Sequence, residues 1–145
     1  MTGVDADGFG EHAIAAAFAE AAHRRVPLVA LHARSSAEYR TATTPATPRL
    51  EWERAAEEHH RSVAERLAGW QERHPDVEVR RVVVPDRPAH HLVRWSHRAQ
   101  LVVVGSRGRS GLPGLLLGST GRIVTGAAAC PVMVVPPGQG PESPC

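Results

Sequence analysis

The segment with the clearest chemical potential is a glycine-rich stretch between an apolar run and a helix-like stretch. The apolar run covers residues 101–104, and helix-forming residues follow from Arg122 to Ala129. The glycines and hydroxyl residues of the stretch are Gly105, Gly108, Gly118, Ser119 and Thr120. A glycine-rich loop between a strand and a helix directs backbone N–H groups and the helix N-terminus toward an anion. This pattern predicts a phosphate-binding loop.

The charges of this segment agree with an anionic ligand. No acidic residue lies between Gly105 and Gly126, whereas Arg107, Arg109 and Arg122 do. Arg107 and Arg109 are candidates to close over phosphates as charge-assisted donors. Glycines allow a close approach of the backbone, and the Ser119 or Thr120 hydroxyl either caps the helix or donates to a phosphate oxygen. The alternative is that the glycines only form a turn and Ser119 only caps.

Two common nucleotide-binding loops are excluded by the spacing. A P-loop requires a lysine after the last glycine, followed by Ser or Thr, but Gly118 is followed directly by Ser119. The dinucleotide fingerprint G-x-G-x-x-G is absent, because Gly105, Gly108 and Gly111 are three residues apart. That fingerprint also follows the first strand of its domain, whereas this loop lies late in the chain.

Composition limits the remaining classes of protein. A chain of 145 residues with 42% hydrophobic residues suits one domain with a single core. The 17 basic residues nearly balance the 15 acidic residues, and only 4% are aromatic, which argues against a dedicated nucleic-acid binder. Two cysteines make no disulfide framework. The apolar runs are too short to span a membrane, so we expect a cytoplasmic protein.

The hydrophobic pattern alternates between strands and helices. We expect a first strand ending at residues 4–5, helices over 9–24, 48–74, 88–99 and 118–129, and strands over 27–33, 77–84, 101–104 and 132–135. This alternation predicts an α/β fold, a parallel sheet with helices on both faces and right-handed crossovers. Residues 1–136 are predicted to form one domain, followed by a disordered Pro/Gly-rich tail over 137–145.

The sequence resembles the universal stress protein family. The family signature is Gly, two residues, Gly, nine residues, Gly, then Ser or Thr, which Gly105, Gly108, Gly118 and Ser119 match without a gap. The run "LVVVGSRGRSGLPGLLLGSTGRIVTGAAACPVMVVP" is similar to the C-terminal third of the family. The run "GVDADGFGEHAIAAAFAEAA" is similar to its opening strand, aspartate and first helix, and "VPLVALHA" to its second strand. The resemblance covers residues 3–136.

The resemblance implies an open, Rossmann-like, five-stranded parallel sheet in the order 3-2-1-4-5. Ligands of such sheets bind beyond the carboxyl ends of the strands where the order reverses, here between strands 1 and 4. Family members with the full signature bind ATP, and they often hold Mg²⁺ or Mn²⁺ through the phosphates and water, so no metal-binding side chain is implied. A nucleotide-dependent module of the stress response is therefore expected.

Site residues follow from the same resemblance, position by position. The adenine and ribose end would be approached by Gly3, Val4 and Asp5. The backbone of Ala33 would bond the adenine edge, and the ribose would lie against Val104 and Gly105. The phosphates would be held by Gly108, Gly118, Ser119 and Thr120. No residue is assigned a catalytic role.

Two other functions remain open at this stage. One is a slow ATPase or autophosphorylating phosphotransferase on the same site. The other is a dimerisation module with a vestigial loop. Family members dimerise through the last strand, which predicts a homodimer through Val132, Met133, Val134 and Val135, or pairing with a sister domain in a tandem protein.

The sequence departs from the family pattern at two places near its beginning. Only Thr2, Gly3 and Val4 stand between Met1 and Asp5 where the family has a longer strand, which suggests either a fragment of a tandem protein or a misplaced start. Ala6-Asp7 replaces the usual Gly-Ser.

The adjacent histidine pairs at 59–60 and 90–91 are expected at solvated helix positions. A half-buried, hydrogen-bonded side chain is expected for His32, with contact to the ligand as the alternative.

Overall fold

A computed structural model describes residues 1–4, 10–34, 48–106 and 117–138, and for residues 48, 49, 51 and 52 only the backbone. Nine elements alternate along the described chain. They are β1 (Thr2–Gly3), α1 (Glu11–Arg24), β2 (Leu28–Arg34), α2 (Pro48–Arg73), β3 (Val79–Pro85), α3 (Pro88–Ser96), β4 (Val102–Gly105), α4 (Ser119–Ala127) and β5 (Val132–Val135). The predicted order is confirmed, with most ends shifted by one or two residues. The α3 helix is shorter than predicted: it ends at Ser96, and residues 97–98 form a turn.

The five strands form one parallel sheet in the order β3-β2-β1-β4-β5, which confirms the predicted fold class. The outer ladders are regular: β2 pairs with β3 from Leu28↔Val79 to Arg34↔Pro85, and all of β4 pairs with β5. The central strand β1 is much shorter. It pairs with β2 through Thr2 and Gly3 and with β4 through Thr2 alone.

Both faces of the sheet are covered, which explains its nearly continuous apolar strands. Helices α1 and α2 cover one face, where Phe18 and Leu67 pack with Leu28, Ala30 and Val103. Helices α3 and α4 cover the other face, where Leu92 and Val124 pack with Leu31, Val102 and Val104. Successive strand residues therefore belong to opposite core clusters.

A polar contact joins the two helices of the first face. The carboxylate of Glu11, in the first turn of α1, accepts from Arg66 Nη2 at 3.1 Å and from Trp70 Nε1 at 3.2 Å. Trp70 also lies 6.4 Å from Phe18, ring centre to ring centre. These contacts set the position of α2 relative to α1, and thus to the sheet beneath both helices.

Short as it is, β1 is firmly attached to β4. The Met1 amino group donates to Leu101 O at 2.8 Å, Val103 N donates to Met1 O at 2.8 Å, and the buried Thr2 hydroxyl donates to Val103 O at 3.0 Å. Burial lowers the pKa of the Met1 amino group below its usual value. These bonds hold the beginning of β1 in place beside β4.

The structure covers only the beginning of the predicted C-terminal tail. Pro137 and Gly138 lie in a turn, and the rest of the predicted tail, residues 139–145, lies outside the described residues. The division into a domain and a tail stays a prediction. Within the part of the chain that the structure describes, no helix is both long and apolar enough to cross a membrane.

Candidate functional site

The sheet opens where β1 ends between its two neighbours. Val4 N donates to Leu31 O at 2.7 Å. Among the described residues, this is the last backbone hydrogen bond between the β1 segment and β2. Beyond it, β2 continues to Arg34 and β4 to Gly105. Strands two positions apart in a sheet are separated by about 9.5 Å, so β2 and β4 are about this far apart where β1 ends between them, and we call the space between their carboxyl ends the crevice. It lies at the carboxyl ends of parallel strands where their order reverses, the usual ligand position in open α/β sheets.

One wall of the crevice is the backbone of β2. Leu31 O points toward β1, because it accepts from Val4 N, whereas Leu28 N and Arg34 O bond to the β3 side. Backbone groups of alternate strand residues point to the same neighbouring strand. Ala33 therefore directs its N–H and C=O toward the crevice. An amide donor and acceptor side by side match the edge of a purine base.

The opposite wall is the end of β4. Val102 N and Ser106 N donate to Pro131 O and Val135 O of the β5 side, at 3.0 and 2.9 Å. By the same alternation, Gly105 presents its backbone to the crevice, whereas Val104 directs its backbone to β5. The Val104 side chain lies in the core beneath α3 and α4.

The glycine-rich loop is closed at its base. Gly118 N donates to Ser106 O at 2.8 Å, which brings the start of α4 to the carboxyl end of β4. Ser106 itself is buried. Ser106 and Gly118 are thereby held together beside Gly105. Of the predicted phosphate contacts, Gly118, Ser119 and Thr120 are thereby placed next to Gly105.

The first turn of α4 presents backbone donors. The first bond within the helix joins Arg122 N to Gly118 O at 3.0 Å, so the N–H groups of Ser119, Thr120 and Gly121 precede it. Gly118 occupies the N-cap position, and in the described chain no side chain caps this helix. The alternative that Ser119 or Thr120 caps α4 is therefore wrong, because the helix already starts at Ser119, earlier than a cap by either residue requires. Ser119 is exposed, and its hydroxyl is available to a ligand.

Gly121 leaves room for the side chain of Leu117 beside the first turn of α4. A Cβ atom at this position would lie 2.7 Å from Leu117 Cδ1, 3.0 Å from Leu117 Cγ and 3.8 Å from Gly105 O. The residue is buried. This glycine is part of no predicted site, and its signal in the sequence is weak, since one more glycine inside a glycine-rich segment carries no distinguishing pattern.

Several predicted site residues lie outside the described part of the chain: Asp5, Arg107, Gly108 and Arg109. Among the described ones, the chain brings Gly3, Val4 and Ala33 together at the β1–β2 side and Gly105, Gly118, Ser119 and Thr120 at the β4–α4 side. Within residues 1–4, 10–34, 48–106 and 117–138, no group of three or more His, Cys, Asp or Glu side chains could hold a metal ion.

A pair of histidines lies beside the end of β1, on the face of the sheet that α2 covers. His32 Nδ1 is 2.8 Å from Val4 O, and its Nε2 is 3.0 Å from His59 Nδ1, with the ring centres 5.0 Å apart. His32 is hydrogen-bonded as expected, but it is buried and not half-buried, because α2 covers this face of β2. The solvated position expected for His59 is wrong, because the face of a long helix that meets the sheet cannot be read from an adjacent His-His pair.

Comparison with known proteins agrees with this geometry. The Universal stress protein family matches residues 1–136. A universal stress protein of Mycobacterium tuberculosis, Rv2005c, is 52% identical over 134 residues, which are 92% of this chain. The chain spans only 44% of the length of that relative.

Solved structures share the fold at low sequence identity. UspA from Lactobacillus plantarum has a TM-score of 0.71 at 20% identity and covers 92% of this chain, which in turn covers 93% of UspA. A universal stress protein in complex with cAMP has a TM-score of 0.60 at 21% identity, with 92% of each chain covered. One from Archaeoglobus fulgidus in complex with dAMP has a TM-score of 0.56 at 20% identity, with 92% and 94% covered. On the family match and the identity to its relative, this chain belongs to the universal stress protein family.

Proposed function

We propose that this chain binds ATP in the crevice beyond β1 and acts as a nucleotide-dependent module of the stress response. The observation that carries the proposal is the pairing of two backbone surfaces across the end of β1. Ala33 offers an amide edge suited to adenine, and the first turn of α4 offers three N–H groups suited to phosphate. A nucleotide has these two chemical ends, and the ribose would lie between them, against Gly105.

The electrostatics of the phosphate side support an anion. The first turn of α4 contains no acidic residue, and Arg122 lies within it. The positive end of the helix dipole adds to this field. In the proposal, the N–H groups of Ser119 and Thr120 and their hydroxyls bind phosphate oxygens, with Arg107, Gly108 and Arg109 as further contacts. A Mg²⁺ or Mn²⁺ ion would be held by the phosphates and water and would neutralise their charge.

Two of the solved structures support an adenine nucleotide in particular. They are complexes with cAMP and dAMP, and both share the fold of this chain. Their ligands have the same base and differ in their phosphates and sugars. For this chain, we infer the triphosphate from the full glycine signature of the family, which Gly105, Gly108, Gly118 and Ser119 match.

The test is a thermal unfolding experiment with and without nucleotide. A ligand at about one hundred times its dissociation constant adds about 2.7 kcal/mol to the stability of the folded state. For a chain of this size, that raises Tm by about 5–10 °C. We expect this rise with ATP and Mg²⁺ and a smaller one with ADP. Inorganic triphosphate and adenosine, each alone, separate the two ends of the site. Unchanged Tm with both ATP and ADP would overturn the proposal.

A second proposal concerns self-association. The strand β5 lies at the edge of the sheet, and Val132 to Val135 are all only half-buried. Because Val102 N and Ser106 N bond to Pro131 O and Val135 O, alternation directs the backbone of Val134 away from β4. An apolar edge with outward backbone groups favours pairing with another strand. We propose a homodimer through β5, or the same contact with a sister domain.

Light scattering after gel filtration tests the dimer. Val134→Pro removes an outward N–H while leaving the bonds to β4 intact. The expected result is a monomer for Val134→Pro and a dimer for the native chain and for the control Val134→Thr, which keeps the N–H. A native monomer, or an unaffected Val134→Pro dimer, would contradict the contact.

A further inference from the structure

We propose that His32 and His59 form a pair that holds one shared proton and couples nucleotide affinity to pH. The pair positions the β1–β2 wall of the crevice, where the adenine base would lie. This inference rests on the proposed nucleotide function. It starts from the hydrogen bond between His32 and the carbonyl of Val4, the residue at which β1 ends.

The chemistry of the partners fixes the tautomer of His32. A backbone carbonyl can only accept, so His32 Nδ1 carries the proton in its 2.8 Å bond to Val4 O. In the neutral ring, Nε2 is then an acceptor, and His59 Nδ1, 3.0 Å away, donates to it. His32 is only 5% exposed, so neither of its nitrogens exchanges this partner for bulk water.

One additional proton fits the same geometry, but a second does not. When His32 is protonated, its Nε2 becomes the donor and His59 Nδ1 the acceptor, so both hydrogen bonds survive and become charge-assisted. When both rings are protonated, two N–H groups face each other across 3.0 Å and two cations lie 5.0 Å apart. The second proton must therefore separate the rings, and the pair titrates in two distant steps.

Two arginines on the neighbouring strand positions also oppose a second proton, and the other charged groups described nearby are paired. On β2, the buried Arg34 lies on the same face, two residues after His32. On β3, Val83 lies opposite His32, and the exposed Arg81 precedes it by two residues. Helix α1 contributes Glu11, which pairs with Arg66 of α2. The α2 residues one turn from His59 are uncharged: Ala55, Ala56, Ser62 and Val63.

The position of the pair links its proton to the ligand. The Val4 carbonyl precedes Asp5, and Val4 N is bonded to Leu31, two residues before Ala33. A charge-assisted bond from His32 holds this corner of the crevice more firmly than a neutral one. The added positive charge also favours an anionic ligand. Nucleotide binding should therefore strengthen as the pH falls and the pair takes up its first proton, and by linkage the nucleotide should raise the proton affinity of the pair.

The nucleotide-linked test compares pH profiles of affinity between pH 8 and pH 6. Between pH 8 and pH 6, the ATP affinity of the native protein should rise threefold to tenfold more than that of His59→Leu. One pKa unit of coupling corresponds to a tenfold change in affinity. The exposed neighbour His60 provides the matched control, and His60→Leu should keep the native profile. His32→Asn keeps a donor for Val4 O but cannot share a proton with His59, so its affinity should change less between pH 8 and pH 6 than that of the native protein. His32→Ala should bind more weakly at every pH.

A second measurement is independent of nucleotide. The Cε1–H resonances of His32 and His59 should titrate in two well-separated steps, and the ring that remains in each single-histidine variant should titrate in one intermediate step. Two independent, ordinary titrations would overturn the pair. Identical affinity profiles in native protein and His59→Leu would overturn the coupling alone. Native protein that binds no nucleotide at any pH would overturn the proposed function, and the coupling with it.

Discussion

The two walls of the crevice are built in different ways. The β4–α4 wall is held by backbone bonds between residues near one another in the chain, from Gly118 to Ser106 and from Arg122 to Gly118. The β1–β2 wall is held by contacts across 27 or 28 positions, and two of its groups are imidazoles joined by a hydrogen bond. The first wall is sensitive to shape, whereas the second is sensitive to protons and to the loss of individual donors.

The largest effect is expected where shape controls the β4–α4 wall. Gly121→Val puts carbon atoms into the space occupied by the Leu117 side chain and crowds the start of α4 beside Gly105. We expect a loss of ATP affinity of at least one hundredfold in titration calorimetry. Overpacking of this kind costs about 1–3 kcal/mol of unfolding free energy, which denaturant unfolding measures.

The matched control lies on the same helix. Gly126 is exposed, and a Cβ atom at this position would meet no described atom of another element within 4 Å. Gly126→Ala should therefore raise stability by up to about 1 kcal/mol through helix propensity. Its ATP affinity should stay native. Equal losses of affinity in both variants would mean that helix α4 matters only as a whole, and that the close approach at Gly121 does not shape the site.

A smaller effect is expected from a single donor of the β1–β2 wall. Ala33→Pro removes the N–H that faces the crevice without touching the β3 ladder, which uses the backbone of alternate residues. One hydrogen bond contributes about 1 kcal/mol, so ATP should bind roughly five- to tenfold more weakly. Ala33→Ser keeps the N–H and serves as the control. Native affinity in a folded Ala33→Pro protein would remove Ala33 from the adenine site.

The smallest effect is expected at Ser119. Its hydroxyl caps no helix, so Ser119→Ala should leave the unfolding free energy within about 0.5 kcal/mol of the native value. If the hydroxyl binds phosphate beside the backbone donors, ATP affinity should fall by about threefold and adenosine affinity should not change. A fall for both ligands would place the residue elsewhere in the site.

The ease of prediction also differs between the two walls. The fold and the β4–α4 wall follow from patterns that are local in sequence: apolar runs such as residues 101–104, and glycines at fixed spacing around the start of a helix. The position of the N-cap was missed, because Gly118, Ser119 and Thr120 are all acceptable at that position, and their choice depends on the bond from Gly118 to Ser106.

The β1–β2 wall depends on helix register, which local patterns do not determine. His59 and His60 are adjacent in sequence and differ only in which one faces the sheet. That choice follows from the packing of Val63 and Leu67 in the core and from the contact of Glu11 with Arg66 and Trp70. The same distant contacts bring His59 to His32. A single sequence contains no direct sign of them.

The brevity of β1 has a consequence for how the sheet opens. A two-stranded unit, β3 with β2, and another, β4 with β5, are joined within the sheet by a strand of two residues. Amide protons on the β1–β2 boundary should therefore exchange with solvent through a local opening of lower free energy than global unfolding, whereas those of the β2–β3 ladder should exchange only with the whole domain. Such an opening would part the sheet along the floor of the crevice, and a nucleotide bridging both walls would slow it.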